Sequence, residues 1–365
     1  MNQKQKIYIA DIDMLTPVGA DIEMTAAAIL ADISAYRLSD YFTRKDQPVT
    51  MALAPDALFK SVDIDIDEGD FYGAQHERVI KMALIVLQQI FSRVDIKHSI
   101  PLILSFPEPL NHALCSYPEA LITNILARHA LAFRKELVRG LYRGRSGGIE
   151  AIDLASRYLI DQGHDYVLVG ASDSFYQCPR LAELDESDRL LSAGNSDAFA
   201  PGEAAGFILL TSQPRLARKF GESIIEVCLP GVAEEAGHIL GDEPCLGEGL
   251  DKAFKNAILN YTGTEIGSVY SSMNGERYWS KEYGVAMIRN KQHFHDDVAI
   301  NHPADCYGDL GAATAPVLVG LAAMDLLGST GPASSMIYCS SDNAARSALC
   351  LQKIPSNPGA AGGQV

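Results

Sequence analysis

Positive charge is what this sequence most lacks. There are 30 Lys+Arg against 46 Asp+Glu, a formal net charge of −16. A phosphate backbone or an anionic membrane surface repels such a chain, so neither nucleic acid nor membrane is expected as a partner. Cysteine is sparse and unorganised. Seven are scattered at positions 115, 178, 228, 245, 306, 339 and 350, with no Cys-x-x-Cys. An odd, scattered set excludes a disulfide framework and a zinc knuckle and fits a reducing cytoplasm. Long apolar runs are missing too. The longest, Val317 to Met324, falls far short of the roughly 20 residues that span a bilayer. The opening MNQKQKIYIADIDML is interrupted by Asp11 and Asp13, so it reads as a strand and not as a signal peptide.

What remains is the profile of a globular protein: 365 residues, 47% hydrophobic and 21% charged. At roughly 100–200 residues per domain, two domains or one large fused pair are expected. Strand and helix patterns alternate. Ile7–Ile12 reads as a strand, and a helix follows over about 21–32. Residues 33–75 are polar with Pro48, Pro55, Gly69 and Gly73, a surface excursion. His76–Arg93 has apolar residues at helical spacing, and Ile100–Phe106 is a β-branched run bounded by prolines. Spacing predicts a helix over Ala120–Tyr142, then a glycine-rich turn at 144–148 and a helix over Ile149–Gln162. A strand at Tyr166–Gly170, loop over 171–200 and a strand at Ala204–Thr211 complete the first half.

The second half repeats this order. Strands are expected at Ile224–Leu229, Gly267–Ser272, Ser334–Cys339 and Ala344–Gln352, with helices over Gly247–Leu259 and from Gly308 to Leu327. Gly144–Ala155 followed by DYVLVGASDS parallels Gly308–Ala322 followed by SSMIYCSSDN. In both copies the strand ends in Ser-Asp. A duplicated β-α-β unit explains this economically, with halves at 1–215 and 216–354 and a Gly/Ala/Pro-rich disordered tail at 355–365. Small residues opening each central helix suit two buried helices packed face to face.

Three segments carry a resemblance. Leu15-Thr16-Pro17-Val18-Gly19 after a strand, Ala198-Phe199-Ala200-Pro201-Gly202-Glu203-Ala204-Ala205-Gly206, and Asp309-Leu310-Gly311-Ala312-Ala313 occur in the order and context of the β-ketoacyl synthases of the thiolase superfamily. The resemblance implies a five-layer αβαβα fold, a homodimer or a heterodimer with a related chain, and a dimer strand at Ile100–Phe106. It also implies a catalytic cysteine at a helix N-terminus, where the helix dipole lowers a thiol pKa, and two histidines that stabilise an oxyanion. Residue by residue, these are replaced. Arg145 stands at the nucleophile position and Met273 or Asn274 at the first histidine. Gly308 stands at the second histidine, and Ala304 at a lysine upstream of it. A cation beside a helix N-terminus opposes the dipole, so Arg145 is expected to point outwards or to plug the pocket.

A narrower resemblance rests on Asn274-Gly275-Glu276-Arg277-Tyr278 with Glu282, and on His302-Pro303-Ala304-Asp305-Cys306-Tyr307-Gly308-Asp309. Pro244–Leu250, Glu77-Arg78 and Met51–Asp56 fit as well. Together these are similar to the degenerate thiolase-like proteins encoded in bacterial type VI secretion clusters. That implies an accessory or adaptor, with a secreted effector or spike protein as partner. Two alternatives stay open. One is a chain-length-factor-like partner of an active synthase. The other is an acyl-thioester enzyme with altered residues, using Cys306 or Ser146.

Ser146, Asn274, Glu276, Arg277, Asp305, Cys306 and Asp309 are the candidate binding residues. They should converge on the old pocket, as a ligand site or as an ion-pair network that closes it. Cys306 is a reactive thiol or a small buried hydrophobe. A Ser146 hydrolase would need a base, with His164 or His302 to hand. His293 and His295 could share a face of a strand as metal ligands or sit in an exposed polar loop. Arg134, Lys135, Arg139, Arg143 and Arg145 form a basic patch or a solvated helix face. No metal or cofactor is expected.

Overall fold

The computed structural model describes residues 6–60, 62–64, 74–109, 118–328 and 333–356. In the first half, β1 (Ile7–Leu15) and α1 (Ile22–Leu30) lead to a hairpin of β2 (Arg37–Phe42) and β3 (Pro48–Met51). Then come α2 (Ala74–Arg93), β4 (Leu102–Phe106), α3 (Pro118–Arg128), β5 (Val138–Tyr142), α4 (Gly147–Ile160), β6 (Val167–Ser174), α5 (Cys178–Glu186) and β7 (Glu203–Thr211). The second half has β8 (Ser223–Val227), β9 (Gly231–Glu234), α6 (Glu248–Asn260), β10 (Ile266–Ser271), α7 (Arg277–Asn290) and β11 (Phe294–Asn301). It ends with α8 (Ala304–Tyr307), α9 (Thr314–Gly328), β12 (Ser334–Ser340) and β13 (Ala345–Pro355).

Strand pairing repeats as the sequence repeat requires. The first half orders its strands β5-β4-β6-β7-β1, the second β11-β10-β12-β13-β8. In each, the first two pairings are parallel and the last two antiparallel. β1 and β8 join the two through Ile7↔Val227 and Tyr8↔Glu226.

Alternation along the strands builds the layers, because successive side chains point to opposite faces. In β6, Val167, Val169 and Ala171 face a central core, and Leu168 faces an outer one beside α2 and α3. In β12, Ile337 and Cys339 face the same central core, and Met336 and Tyr338 face the second outer core beside α6. Helices α4 and α9 fill the centre, which makes the arrangement αβαβα. Their approach depends on glycine: a Cβ on Gly148 would lie 2.7 Å from Ala315 Cβ and 2.8 Å from Pro316 Cδ. Among the described residues, one apolar helical stretch, Gly311–Gly328, is long enough to cross a membrane, and it is mostly buried in this core.

Several expectations need correction. The helix predicted over 120–142 stops at Arg128, and residues 138–142 are β5. Lys135–Leu141 has acceptable helix propensity, but parallel pairing with β4 overrides it. The basic patch is therefore not a helix face. Arg134, Lys135 and Arg139 are exposed around β5, Arg143 pairs with Glu150, and Arg145 is buried. Ile100–Phe106 is not a free edge, since β4 is paired on both sides and β5 is the outer strand. Residues 171–200 hold the end of β6 and all of α5. β13 runs to Pro355, paired with Ser223, so the tail begins later than expected; residues 357–365 lie outside the described residues, as does Cys115. α7 and β11 were not legible in the periodicity.

Candidate functional site

The quoted motifs meet in space. Gly202 N donates to Asp309 O (2.8 Å) and Asp309 N to Ala200 O (2.9 Å), which sets the Phe199–Glu203 segment beside the start of α9. Glu203 is fully buried and accepts from Ala54 N (2.9 Å) and Ser174 Oγ (2.9 Å). Arg78 pairs with both Glu203 and Asp56 and donates to Ala54 O (2.8 Å). Glu77-Arg78, Met51–Asp56 and the Pro-Gly-Glu segment are thus one structural knot.

Arg145 sits in a single turn, Gly144–Ser146, that opens into α4. It is 4% exposed and turns inward as a plug. Its Nε and Nη2 donate to Asp309 Oδ2 (2.8 and 2.5 Å), and its Nη1 donates to Asp342 Oδ1 (2.7 Å). The other Asp342 oxygen accepts from Arg189 Nη1 (2.8 Å). Arg189 then grips Glu276 with Nε (2.7 Å) and Nη2 (2.8 Å). Asn274 Nδ2 bridges Glu276 Oε2 (3.1 Å) and Asp309 Oδ2 (2.8 Å) and closes the ring. Trp279 lies under the Arg145 guanidinium, 5.2 Å from it, and donates Nε1 to Glu276 (3.0 Å). The ring joins five loops from both halves: the turn before α4, the loop after α5, the β10–α7 turn, the approach to α9 and the β12–β13 turn.

The electrostatics follow from paired burial. Burial alone would lower the Arg145 pKa, but Asp309 and Asp342 outweigh it and hold the guanidinium well above its ordinary value. Burial would raise the Asp342 carboxyl, yet Arg145 and Arg189 hold it well below the usual carboxylate range. Arg189 is raised in the same way: burial is outweighed by Asp342 and Glu276. A permanently protonated guanidinium is neither a nucleophile nor a base. The old histidine position is closed by the backbone itself. Gly308 has φ +74, and a Cβ there would lie 2.5 Å from Ala200 O. Met273 is half-buried in the outer core, and Ala304 is buried with its carbonyl accepting from Tyr36 Oη (2.8 Å).

Of the candidate binding residues, Asn274, Glu276 and Asp309 are in the ring. Ser146 is fully buried beside it. Its hydroxyl bonds Cys339 O (3.2 Å) and Ser347 Oγ (2.8 Å), and no imidazole contacts it among the described residues. His302 instead bonds Ser271 Oγ through Nδ1 (2.6 Å), and His164 lies by Tyr158. Arg277 does not join; its side chain is 82% exposed and makes only a long, exposed pair with Asp197 (3.9 Å), whose Oδ1 also accepts from the Arg277 backbone N–H (2.9 Å). Asp305 is exposed on α8. Cys306 is buried, and its thiol is pushed up by burial and then by Asp305, the opposite of activation. His295 is exposed on β11, with Nδ1 accepting from Asp297 N (3.2 Å), which fits the polar-surface reading.

The sequence reading missed Arg189, Asp342 and Trp279. For Asp342 a signal existed: it closes the second Ser-Asp repeat, two residues past the end of β12, and its counterpart Asp173 lies at the end of β6. Asp173 pairs with Arg180 (2.6 Å) and accepts from Ala312 N (2.8 Å) at the start of α9. Glu235, Cys245 and Glu282 lie within 4.8 Å of one another and have metal-ligand atoms. They are poor cation ligands: Glu282 is bound to the fully buried Arg346 (2.6 Å), Glu235 accepts from Gly249 N (2.7 Å), and burial raises the Cys245 thiol.

In front of the ring lies a narrow cleft, open to solvent, lined by Glu108, Arg145, Phe175, Arg180, Glu183, Leu184, Arg189, Leu240 and Asp342 among others.

No protein-family model and no curated protein matches the sequence. Solved structures do. The ketosynthase ApeO in complex with its chain length factor ApeC from Xenorhabdus doucetiae matches at TM-score 0.69 and 15% identity, over 96% of this chain and 99% of that one. The ketosynthase from module 6 of the bacillaene synthase of Bacillus subtilis 168 matches at TM-score 0.75 and 13% identity, over 95% of this chain and 72% of that one. The ishigamide ketosynthase/chain length factor matches at TM-score 0.70 and 15% identity, over 96% and 99%. The chain has the thiolase-like fold of ketosynthases and chain length factors.

Proposed function

We propose that this chain is a ketosynthase-like protein without acyl-condensing chemistry, which acts through protein contacts as an accessory or adaptor. The observation that carries this reading is Arg145: the position that resembles the nucleophile holds a buried guanidinium tied into a closed ring. The motifs at 274–282 and 302–313 favour a role in type VI secretion, in loading an effector or spike component from the cytoplasm. In this reading the halves 1–215 and 216–354 form one scaffold, and its partner is a second copy or a related chain. The exposed edge strand β5 is the natural place for that pairing.

The test has two parts. A tagged chain recovered from its native host should bring down an effector or spike protein, identified by mass spectrometry. An acyl-CoA analogue or cerulenin should leave the folded protein unlabelled. Labelling that depends on Ser146 or Cys306 would overturn the reading in favour of altered acyl chemistry.

A second reading has its own support. Two of the three matched structures described above contain a chain length factor. In the first of these the chain length factor is in complex with a ketosynthase. Recovery of a ketosynthase with its carrier protein would make this chain the silent half of such a pair.

A further inference from the structure

The cleft in front of the ring is not neutral. Three guanidiniums, Arg145, Arg180 and Arg189, stand against the lining carboxylates Glu108, Asp173, Glu183 and Asp342. Asp309 and Glu276 lie directly behind. The arginines are all taken: Arg145 by Asp309 and Asp342, Arg189 by Glu276 and Asp342, Arg180 by Asp173. Glu108 and Glu183 make no ion pair within 4 Å among the described residues; Arg145 reaches Glu108, and Arg180 and Arg189 reach Glu183, only at longer range. Glu108 is held ready: it packs over Gly144, and its Oε2 accepts from Asn343 N (3.2 Å). Both carboxyls are raised, first by burial and further by nearby acids that include Asp342; the Asn343 hydrogen bond and Arg145 at Glu108, and Arg180 and Arg189 at Glu183, offset this only in part. Each therefore gains from an added positive charge.

The remaining wall is apolar. Phe175, Leu184, Pro107 and Pro109 line the cleft, and Leu240 stands 55% exposed in the same lining. Such a wall suits the aliphatic stem of a long basic side chain whose head is drawn to carboxylates.

We infer that this cleft receives a lysine or arginine side chain of a partner protein, its head between Glu108 and Glu183 and its stem along Phe175 and Leu184. The inference rests on the reading of the chain as a protein that works through protein contacts, and it names the chemistry of that contact. A free amine has no use for Leu240; a peptide that enters past that residue does.

Display of short random peptides, panned against the full chain, tests it. The best-enriched peptide is synthesised and measured by calorimetry. Enriched peptides should contain a Lys or Arg. Its replacement by citrulline or norleucine should weaken binding at least about tenfold, as should the double variant Glu108→Gln/Glu183→Gln, because a desolvated carboxylate loses its counter-ion. If that variant fails to fold, Leu240→Ser on the rim gives a second readout and should weaken the peptide. Peptides without a basic residue, or binding indifferent to the citrulline or norleucine exchange, would overturn the inference. Agmatine alone competing as strongly as the peptide would also overturn it, in favour of a small-molecule amine. Acyl labelling is scored on the same preparation. A labelled protein sinks the underlying reading, whereas an unlabelled one with no basic preference sinks only the cleft assignment.

Discussion

Arg145 holds two carboxylates at once, so its removal leaves both Asp309 and Asp342 short of a counter-charge. Arg145→Met is expected to lower stability by about 3–5 kcal/mol, the range for one partner removed from a buried pair; a urea melt followed by circular dichroism measures it. Arg145→Cys should lose a similar amount and still fail to react with an acyl-thioester probe. Gly308→His should not rebuild an oxyanion site. Backbone strain at its positive φ costs about 1–3 kcal/mol before the clash with Ala200 O is counted. Arg277→Ala, one motif position away from the ring, should stay within about 0.5 kcal/mol of the parent. If Arg277→Ala destabilised as strongly as Arg145→Met, the ring would not be the unit described.

Helix α3 depends on its docking to α2, and His129 just beyond its end makes part of that contact. The imidazole stacks on Phe91 at 4.6 Å between centroids. Burial, with a smaller push from Arg128, lowers its pKa to about 4, against an ordinary 6.5. The sign is that of a depressed group: the stabilisation is fully present above pH 6.5 and is lost as pH falls towards 4, where the folded protein takes up the proton. The upper bound is about 3 kcal/mol, reduced by its partial exposure. Urea midpoints measured from pH 7.5 to 4 should fall more steeply in the parent than in His129→Phe. At the sheet edge, β5 has no second strand partner among the described residues, and its Tyr142 side chain stacks on Phe106 at 5.1 Å. If β5 is the pairing edge, Tyr142→Asp should convert the oligomer to monomer in light scattering after size exclusion. An unchanged mass would place the contact elsewhere.

Over the whole molecule, the two pairing patterns β5-β4-β6-β7-β1 and β11-β10-β12-β13-β8 show how far the duplication reaches. They also show that the fold does not depend on any one chemistry at its centre. The central core is built from α4, α9 and the inner faces of both sheets, and none of its apolar contacts requires a catalytic group. With the net charge at −16, a basic partner would be steered towards the molecule. Association of the peptide from the display experiment should therefore slow as salt is raised, because added ions screen the steering field.

The sequence alone determined that two similar sheets lie with helices between and around them, through short apolar strands, helices of period 3.6 and a repeat that ends twice in Ser-Asp; the five-layer order came from the resemblance to the ketosynthases. The chain alone also supplied the identities Arg145, Met273, Ala304 and Gly308 at the positions where the resemblance expects catalytic groups, because residue identity needs no coordinates. Only the tertiary structure decided what stands there instead. Arg145, Arg189, Glu276, Asp309 and Asp342 come from loops up to 197 positions apart, and an ion pair leaves no periodic trace in a chain. The same holds for β5: local spacing continued the helix through residues 138–142, and only pairing with β4 made them a strand. Arg277 and Asp305 share motifs with Glu276 and Cys306 yet are exposed, because each residue along a helix turns about 100° from the last and a buried residue can have an exposed neighbour. Local pattern set the elements; the directions of their ends, fixed by packing, set the site.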